Sequence, residues 1–366
     1  MIKSVIIGFS HMHVNEVALY ITEHPDYTLC GISDTKEMIP DSKAKRYTPL
    51  WNFRNVNDNY CDKYYPDYKK MLDEVKPDIA FILSENSEKL EIVSECAKRG
   101  INVSVEKPVA MSFNEAEKML SLAENSKIEC YVNWPVLWRP YILKMKAALD
   151  SGIIGKPLKL RYINGHTGPL GKGAKHRGVA ENAEEMTDTE RSNTWWHKSE
   201  NGGGVFLDIC CYGCFFSRWF FGADAKSVYA SGQNFNTPFG NTEDDFAAII
   251  KYNGKMTVAE GTWITPRAVI PSGPSLLGTE GILVCTGGAE NAPDIKCYDI
   301  YGKEIKLPEY NFEDKYKNMP SMYADHIKNG VPMHEMVTLR ANVDIMKLLS
   351  AAIESNRTGK EIETLP

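Results

Sequence analysis

No uninterrupted apolar stretch in this chain approaches the roughly 18 to 20 residues needed to cross a bilayer. Its amino terminus enters a strand-like run without a signal-peptide pattern. From these absences we expect a cytoplasmic protein with no membrane partner. Basic charge is not in excess either: 42 Lys and Arg stand against 48 Asp and Glu, a formal net charge of -6. With no global positive field, nucleic acid is not an expected partner, and any phosphate binding must be local. The nine cysteines give neither a secreted disulfide framework nor paired C-x-x-C zinc spacing, and read as reduced, mostly buried side chains. Glycine is scarce at one telling place. The turn Gly8-Phe9-Ser10-His11-Met12-His13 keeps the first glycine of a G-x-G-x-x-G pattern and replaces the other two.

At 366 residues with 43% hydrophobic content, the chain has apolar mass for two domains. In the first, Ser4 to Gly8 reads as a strand buried on both faces, Val14 to Glu23 as a helix, and Tyr27 to Ser33 as a second strand closed by Asp34. A carboxylate there is placed to accept hydrogen bonds from an adenosine ribose and favours NAD. Lys36 offers a partner for a 2′-phosphate, so NADP stays open. Lys45 to Tyr65 reads as a Tyr- and Asn-rich connection. A helix follows over Tyr68–Val75, a strand over Asp78–Leu83, a helix over Glu88–Arg99 with Gly100 as C-cap, and a strand over Ile101–Val105. Alternation of this kind means a doubly wound parallel sheet. Ser10 can offer its amide and hydroxyl to a pyrophosphate at the helix amino terminus, with Gly8, His11 and Met12 completing the turn. His11 and His13 are two apart with no third ligand type in reach along the sequence, so no metal site is expected.

The strand at Ile101 ends in Glu106-Lys107-Pro108. The carboxyl edge of a parallel sheet is where open α/β folds bind ligands, and Lys107 placed there can donate to a hydroxyl or carbonyl oxygen. After helices over Asn114–Ser126 and from Tyr141 to Gly152 the pattern changes. Pro157–Asn164, Ala225–Gln233, Asp245–Tyr252 and Lys255–Trp263 read as strands of an open, mostly antiparallel sheet. We therefore expect a Rossmann domain over 1–131 and an α+β domain for substrate binding and oligomerisation over 132–366. The long segment Gly165 to Asn201 reads as a lid or oligomer contact. Beyond it, Gly202-Gly203-Gly204 opens a helix carrying Asp208 and Tyr212 at i and i+4. A carboxylate and a phenol held together suit proton transfer and substrate orientation.

With both constellations in view, the chain resembles the Gfo/Idh/MocA family of NAD(P)-dependent oxidoreductases over nearly its whole length. The Lys-Pro strand end, Arg139 before a helix ending in Ser151-Gly152, the Gly-Gly-Gly-x-x-x-Asp segment and Glu243-Asp244-Asp245 carry the likeness. It implies that Lys107 lies near the nicotinamide and the substrate hydroxyl, that Asp208 binds substrate or relays protons, and that Tyr212 is the acid/base. Tyrosine replaces the family's usual histidine there, as in glucose-fructose oxidoreductase and dihydrodiol dehydrogenase. Ser84, Asn86 and Glu106 fall at cofactor positions; Ser84-Glu85-Asn86 and Lys89 depart from the family's Thr-Pro-Asn and histidine. The expected reaction is hydride transfer between nicotinamide and a hydroxyl or carbonyl carbon of a sugar or cyclic polyol. In it Lys107 lowers the phenol's pKa, and Arg139, Trp195, Trp196 and His197 line the substrate side. A sensor without turnover, and redox-assisted elimination or epimerisation with retained NAD, remain alternatives. A homodimer or homotetramer through the open sheet is expected.

Overall fold

Continuous apolar runs become the interior strands of the first layer because both of their faces are covered. The computed structural model describes residues 1–36, 45–171, 177–179, 184, 186–265, 272–286, 293–312 and 314–364. Strands β1 (Ile2–Ile7), β2 (Tyr27–Ser33), β3 (Tyr64–Tyr65), β4 (Ile79–Ile82), β5 (Asn102–Glu106) and β6 (Cys130–Asn133) pair in parallel in the order β3-β2-β1-β4-β5-β6. That is the doubly wound dinucleotide-binding order. Val5, Ile6, Ile7 and all of Ile79–Ile82 are buried. Helices α1 (Val14–Glu23), α2 (Pro49–Asn59), α3 (Tyr68–Val75), α4 (Lys89–Ala97) and α5 (Phe113–Ser126) connect the strands. The sheet ends with β6, two residues past the boundary expected at 131.

The helix α2 lies where we expected only a connection, and its start was written in the sequence: Thr48 caps it by accepting from the Trp51 amide, and Pro49 occupies the first turn. Asparagine on its buried face hid it from a reading of apolar periodicity. Asn52 Nδ2 donates to the Phe9 carbonyl at 2.9 Å, and Asn15 Nδ2 donates to Asn52 Oδ1 at 2.9 Å. The helix thus braces the glycine-poor turn from behind.

Helix α6 (Pro140–Asp150) leads to the second layer, with β7 (Pro157–Gly165), α7 (Asp188–Ser192), α8 (Cys211–Phe221), β8 (Ser227–Gln233), β9 (Asp245–Lys251), β10 (Met256–Thr262), β11 (Gly273–Gly278), β12 (Gly281–Thr286), β13 (Asp294–Asp299), β14 (Glu304–Ile305), α9 (Met319–Asn329), α10 (Leu339–Thr358) and β15 (Ile362–Glu363). Its nine strands run β14-β13-β12-β11-β7-β10-β9-β8-β15. The β7–β10 pair is parallel and its other neighbours are antiparallel. Helix α8 presses on this sheet so closely that a Cβ at Gly213 would lie 2.5 Å from that of Ala259. The last helix ties the two layers together: Trp134 Nε1 donates to Asn342 Oδ1 at 2.8 Å, and Tyr131 bridges Thr338.

One expectation changes here, and one gains detail. Gly165–Asn201 contains α7, opened by a Thr187–Glu190 capping box, and one-turn helices at Trp195–His197 and Ser199–Asn201; residues 172–176, 180–183 and 185 lie outside the described residues. The run Ser199–Phe221 is long and apolar enough to span a bilayer by length and composition, yet 83% of its apolar window is buried inside the protein. Its hydrophobicity is used by the core.

Candidate active site

The end of β5 meets the start of α8 across 101 residues of sequence, and the meeting point is Lys107. Its Nζ donates to Asp208 Oδ1 and to the Asp208 carbonyl, both at 2.9 Å, and lies 4.6 Å from the centre of the Tyr212 ring. The Lys107–Pro108 peptide is cis. Phe206–Cys210, expected as the first turn of an ordinary helix, is a π-helix. Its wider i to i+5 bonding releases carbonyls from the α pattern, and the Asp208 carbonyl takes the lysine.

Two further groups complete the carboxylate's surroundings. Trp263 Nε1 donates to Asp208 Oδ2 at 3.0 Å, and His166 Nε2 lies 3.4 Å from the same oxygen. Neither was singled out from sequence, yet each directly follows a strand, β7 and β10. Those strands are parallel neighbours with Thr262 opposite Gly165, so the residues after them emerge side by side.

Burial opposes charge on Lys107, which is 3% exposed, but the Asp208 carboxylate outweighs it and holds the ammonium well above its usual range. Burial likewise works against the Asp208 carboxylate; Lys107 and His166 prevail and hold it well below the usual carboxylate range. For Tyr212 the balance goes the other way. Burial pushes the phenol up, and the nearby ammonium only partly offsets it. We expected Lys107 to depress this pKa, but in the folded protein the ammonium faces the ring and desolvation dominates. Tyr212 is therefore a neutral phenol at pH 7, a proton donor.

Glu106 is 1% exposed and accepts from Asn133 Nδ2 at 3.1 Å through one oxygen, while the other lies 3.1 Å from His13 Nδ1. Burial would discharge His13, but Glu106 raises its pKa on balance. His11, His13 and Glu106 bring ligand atoms within 4.8 Å of one another, a third ligand supplied by tertiary structure and not by sequence. A cation there would compete for Glu106, whose charge already acts on His13, Lys89 and Lys107. The three side chains form a cluster held by the His13–Glu106 ion pair, and its third member is the one the sequence reading did not find.

The nucleotide side departs from expectation in detail. Gly8 has φ +95°, and a Cβ would sit 2.6 Å from the Ser84 nitrogen; the close approach of β1 to the end of β4 requires the glycine that remains. Ser10, His11 and Met12 are buried. The Ser10 carbonyl accepts from Trp195 Nε1 at 2.9 Å, the His11 amide donates to the Leu83 carbonyl at 3.0 Å, and the Trp196 ring stands 5.0 Å from that of His11. Trp195 and Trp196, expected on the substrate side, thus roof the nucleotide turn, joined to Met12, Tyr47, Trp51 and Leu170 in one apolar cluster. Asp34 ends β2 as expected, 5% exposed, and burial raises it to about 6 against the amides of Thr35 and Phe9. Glu85 accepts from Lys36 Nζ at 2.6 Å and from Asn201 Nδ2 at 2.6 Å, so its charge is matched and Lys36 is engaged. Gly8, Asp34 and Ser84 stand at the carboxyl edge of the sheet, beside the amino end of α1, where they would hold a dinucleotide, while Ser10 and Met12 lie under the Trp195–Trp196 roof.

Arg139 is exposed at the start of α6, within electrostatic reach of Tyr20 and not joined to Asp208. His197 is buried against Trp263 and Phe239, one ring removed from the carboxylate. Burial and Arg191 lower its pKa to about 4. An unfolded chain takes up this proton near pH ~6.5 and the folded one only near 4, so folding stability falls as pH drops through that window, by about 1.4 kcal/mol per unit. We expect His197→Asn to lose less melting temperature than the wild type between pH 7 and 5, measured side by side; equal losses would contradict the assignment.

A parallel 3-2-1-4-5-6 sheet with a lysine, a carboxylate and a phenol at its ligand-binding edge defines a dinucleotide-dependent oxidoreductase class. Comparison with known proteins gives the family. Residues 2–134 match the oxidoreductase family model with an NAD-binding Rossmann fold, and residues 142–284 match the Gfo/Idh/MocA carboxyl-terminal domain; the chain belongs to the Gfo/Idh/MocA family. It is 22% identical over 310 residues to scyllo-inositol 2-dehydrogenase (NAD(+)) of Bacillus subtilis (strain 168), covering 82% of each chain. It is 23% identical over 302 residues to trans-1,2-dihydrobenzene-1,2-diol dehydrogenase of Xenopus tropicalis, covering 80% of this chain and 82% of that one. The crystal structure of the WlbA dehydrogenase from Bordetella pertussis, in complex with NADH and UDP-GlcNAcA, superposes with a TM-score of 0.76 at 19% identity, covering 100% of this chain and 99% of that one.

Proposed function

We propose that the protein oxidises a secondary alcohol carbon of a cyclic polyol or sugar, or reduces the corresponding ketone, with NAD as hydride partner. The observation that carries this reading is the Lys107–Asp208–Tyr212 assembly at the sheet edge. NAD, when bound, supplies the hydride acceptor. The chain's own groups manage the oxygen. The Lys107 ammonium, held charged by Asp208, stabilises the developing alkoxide. In reduction the neutral Tyr212 phenol gives its proton to that oxygen and is reprotonated from solvent; in oxidation the phenol first releases its proton to solvent and the phenolate then accepts the proton of the alcohol. His166, about one-third exposed beside Asp208, offers a route from the site to solvent. The relatives named for inositol and dihydrodiol substrates support a ring carrying adjacent hydroxyls.

Asp34 with Lys36 engaged by Glu85 supports NAD over NADP, since a 2′-phosphate would meet a carboxylate whose neighbouring lysine is already paired. We expect NADH to bind at least about tenfold more tightly than NADPH, about 1.4 kcal/mol, read by quenching of tryptophan fluorescence, because Trp195 and Trp196 lie on the turn. Tighter NADPH binding would contradict the cofactor assignment. Turnover is tested by mixing the protein with NAD and a panel of inositols and pentoses and following 340 nm absorbance; saturable binding of cofactor and polyol with no absorbance change would overturn the reading.

The nine-stranded sheet leaves Tyr229, Met256 and Leu277 each more than 40% exposed on β8, β10 and β11. This supports pairing of two copies through that sheet. The nine free cysteines are in keeping with a reducing cytoplasm.

A further inference from the structure

Lys89 is a fully buried lysine, 0% exposed, at the start of α4, and the chemistry proposed above gives it no task. Its Nζ donates to the Glu106 carbonyl at 2.7 Å, to the Pro108 carbonyl at 2.7 Å and to Asn86 Oδ1 at 2.6 Å. All three ammonium protons are thereby used, and the bonds are short, as charge-assisted bonds are. Two of the acceptors are the backbone carbonyls on either side of Lys107. The third belongs to Asn86, whose Nδ2 donates to the Gly202 carbonyl at 2.7 Å. Gly202 begins the glycine run that leads into the π-turn bearing Asp208. One ammonium therefore joins the loop presenting Lys107 to the segment presenting its carboxylate partner.

We propose that Lys89 is a positioning residue, which fixes the Lys107 loop against the Asp208 segment and so sets the geometry of the oxygen-binding ammonium. The role rests on the Lys107 chemistry proposed above. A lysine costs more to bury than a neutral donor, and an anchor that only filled space would need no charge. Its position makes the clamp sensitive to protonation. Burial pushes Lys89 down to about 7, Glu106 working against that and Lys107 with it. The ionisable groups facing it are Glu106 and Lys107 from the end of β5 and Cys211 from α8. Below that pH the three bonds are complete. Above it the amine keeps two protons for three acceptors, and one carbonyl is left facing a lone pair.

The test measures hydrogen exchange of the amides at 105–111 in the substrate-free protein, corrected for intrinsic rates, at pH 6 and pH 8.5. In the wild type we expect exchange about tenfold faster at the higher pH, a rise confined to this segment and to 86 and 202–208. In Lys89→Gln we expect fast exchange at both values, with no step. On any polyol the wild type oxidises, Lys89→Gln should lower kcat by about a hundredfold, the cost of a misplacement near 1 Å, with KM and NADH affinity within about threefold. No pH step in the wild type overturns the proposal, and so does a Lys89→Gln variant with wild-type exchange and kcat. The wild-type pH step stands even if the variant does not fold. If no polyol is oxidised, the reaction proposed above fails while the exchange arm still decides the role of Lys89.

Discussion

Lys107→Met is expected to remove turnover, lowering kcat at least about a thousandfold, and to destabilise the fold. The first effect follows because the ammonium contacts both Asp208 and Tyr212, and loss of a preorganised oxyanion donor alone costs about a hundredfold to a thousandfold. The second follows because Asp208, 11% exposed at its side chain, would keep its charge with only Trp263 and His166 to answer it. Removing one partner of a buried pair typically costs about 3 kcal/mol or more. The two effects separate in the double variant Lys107→Met/Asp208→Asn. Discharging the carboxylate should return much of the lost stability in denaturant unfolding and none of the activity. Recovery of activity, or no coupling between the two substitutions, would show that the pair is not the unit described here.

Tyr212→Phe is expected to lower kcat by about a hundredfold to ten-thousandfold while leaving melting temperature and NADH affinity close to wild type. The phenyl ring keeps the packing against Trp134 and the cation–π contact with Lys107, so only the hydroxyl is lost. Because burial and not the ammonium governs the phenol, the wild-type rate of ketone reduction should be flat from pH 7 to 9 with respect to this group. A limb near neutral pH that vanishes in Tyr212→Phe would mean that the phenol ionises there, and would restore the depressed-phenol mechanism that the sequence suggested.

The two sheets and the Lys107, Asp208 and Tyr212 triad were legible because each is announced locally: apolar runs bounded by glycine, a strand ending in Glu-Lys-Pro, three glycines before a helix. What was missed depends on contacts distant in sequence. The sequence marks Lys89 only as standing where the family has a histidine, and nothing local says that its ammonium is enclosed by the carbonyls of Glu106 and Pro108. His166 and Trp263 become neighbours only when β7 and β10 pair in parallel, which strand pattern alone does not specify. Trp195 and Trp196 were assigned to the substrate because aromatic faces suit sugar rings. In the fold they stack on each other at 3.9 Å and cover the turn that lacks two glycines. The turn that looked deficient in sequence is thus completed by another part of the chain, with Asn52 behind it and Trp195 in front.

The central claim is that hydride moves between a polyol carbon and nicotinamide at the Lys107 site. It is tested most directly with a polyol deuterated at its ring carbons, incubated with NAD and the wild-type protein, followed by mass analysis of the recovered cofactor. The account predicts NADH carrying one deuterium, formed by the wild type and absent with Lys107→Met. Polyol and NAD that both bind, with no deuterium ever reaching the cofactor, would contradict it.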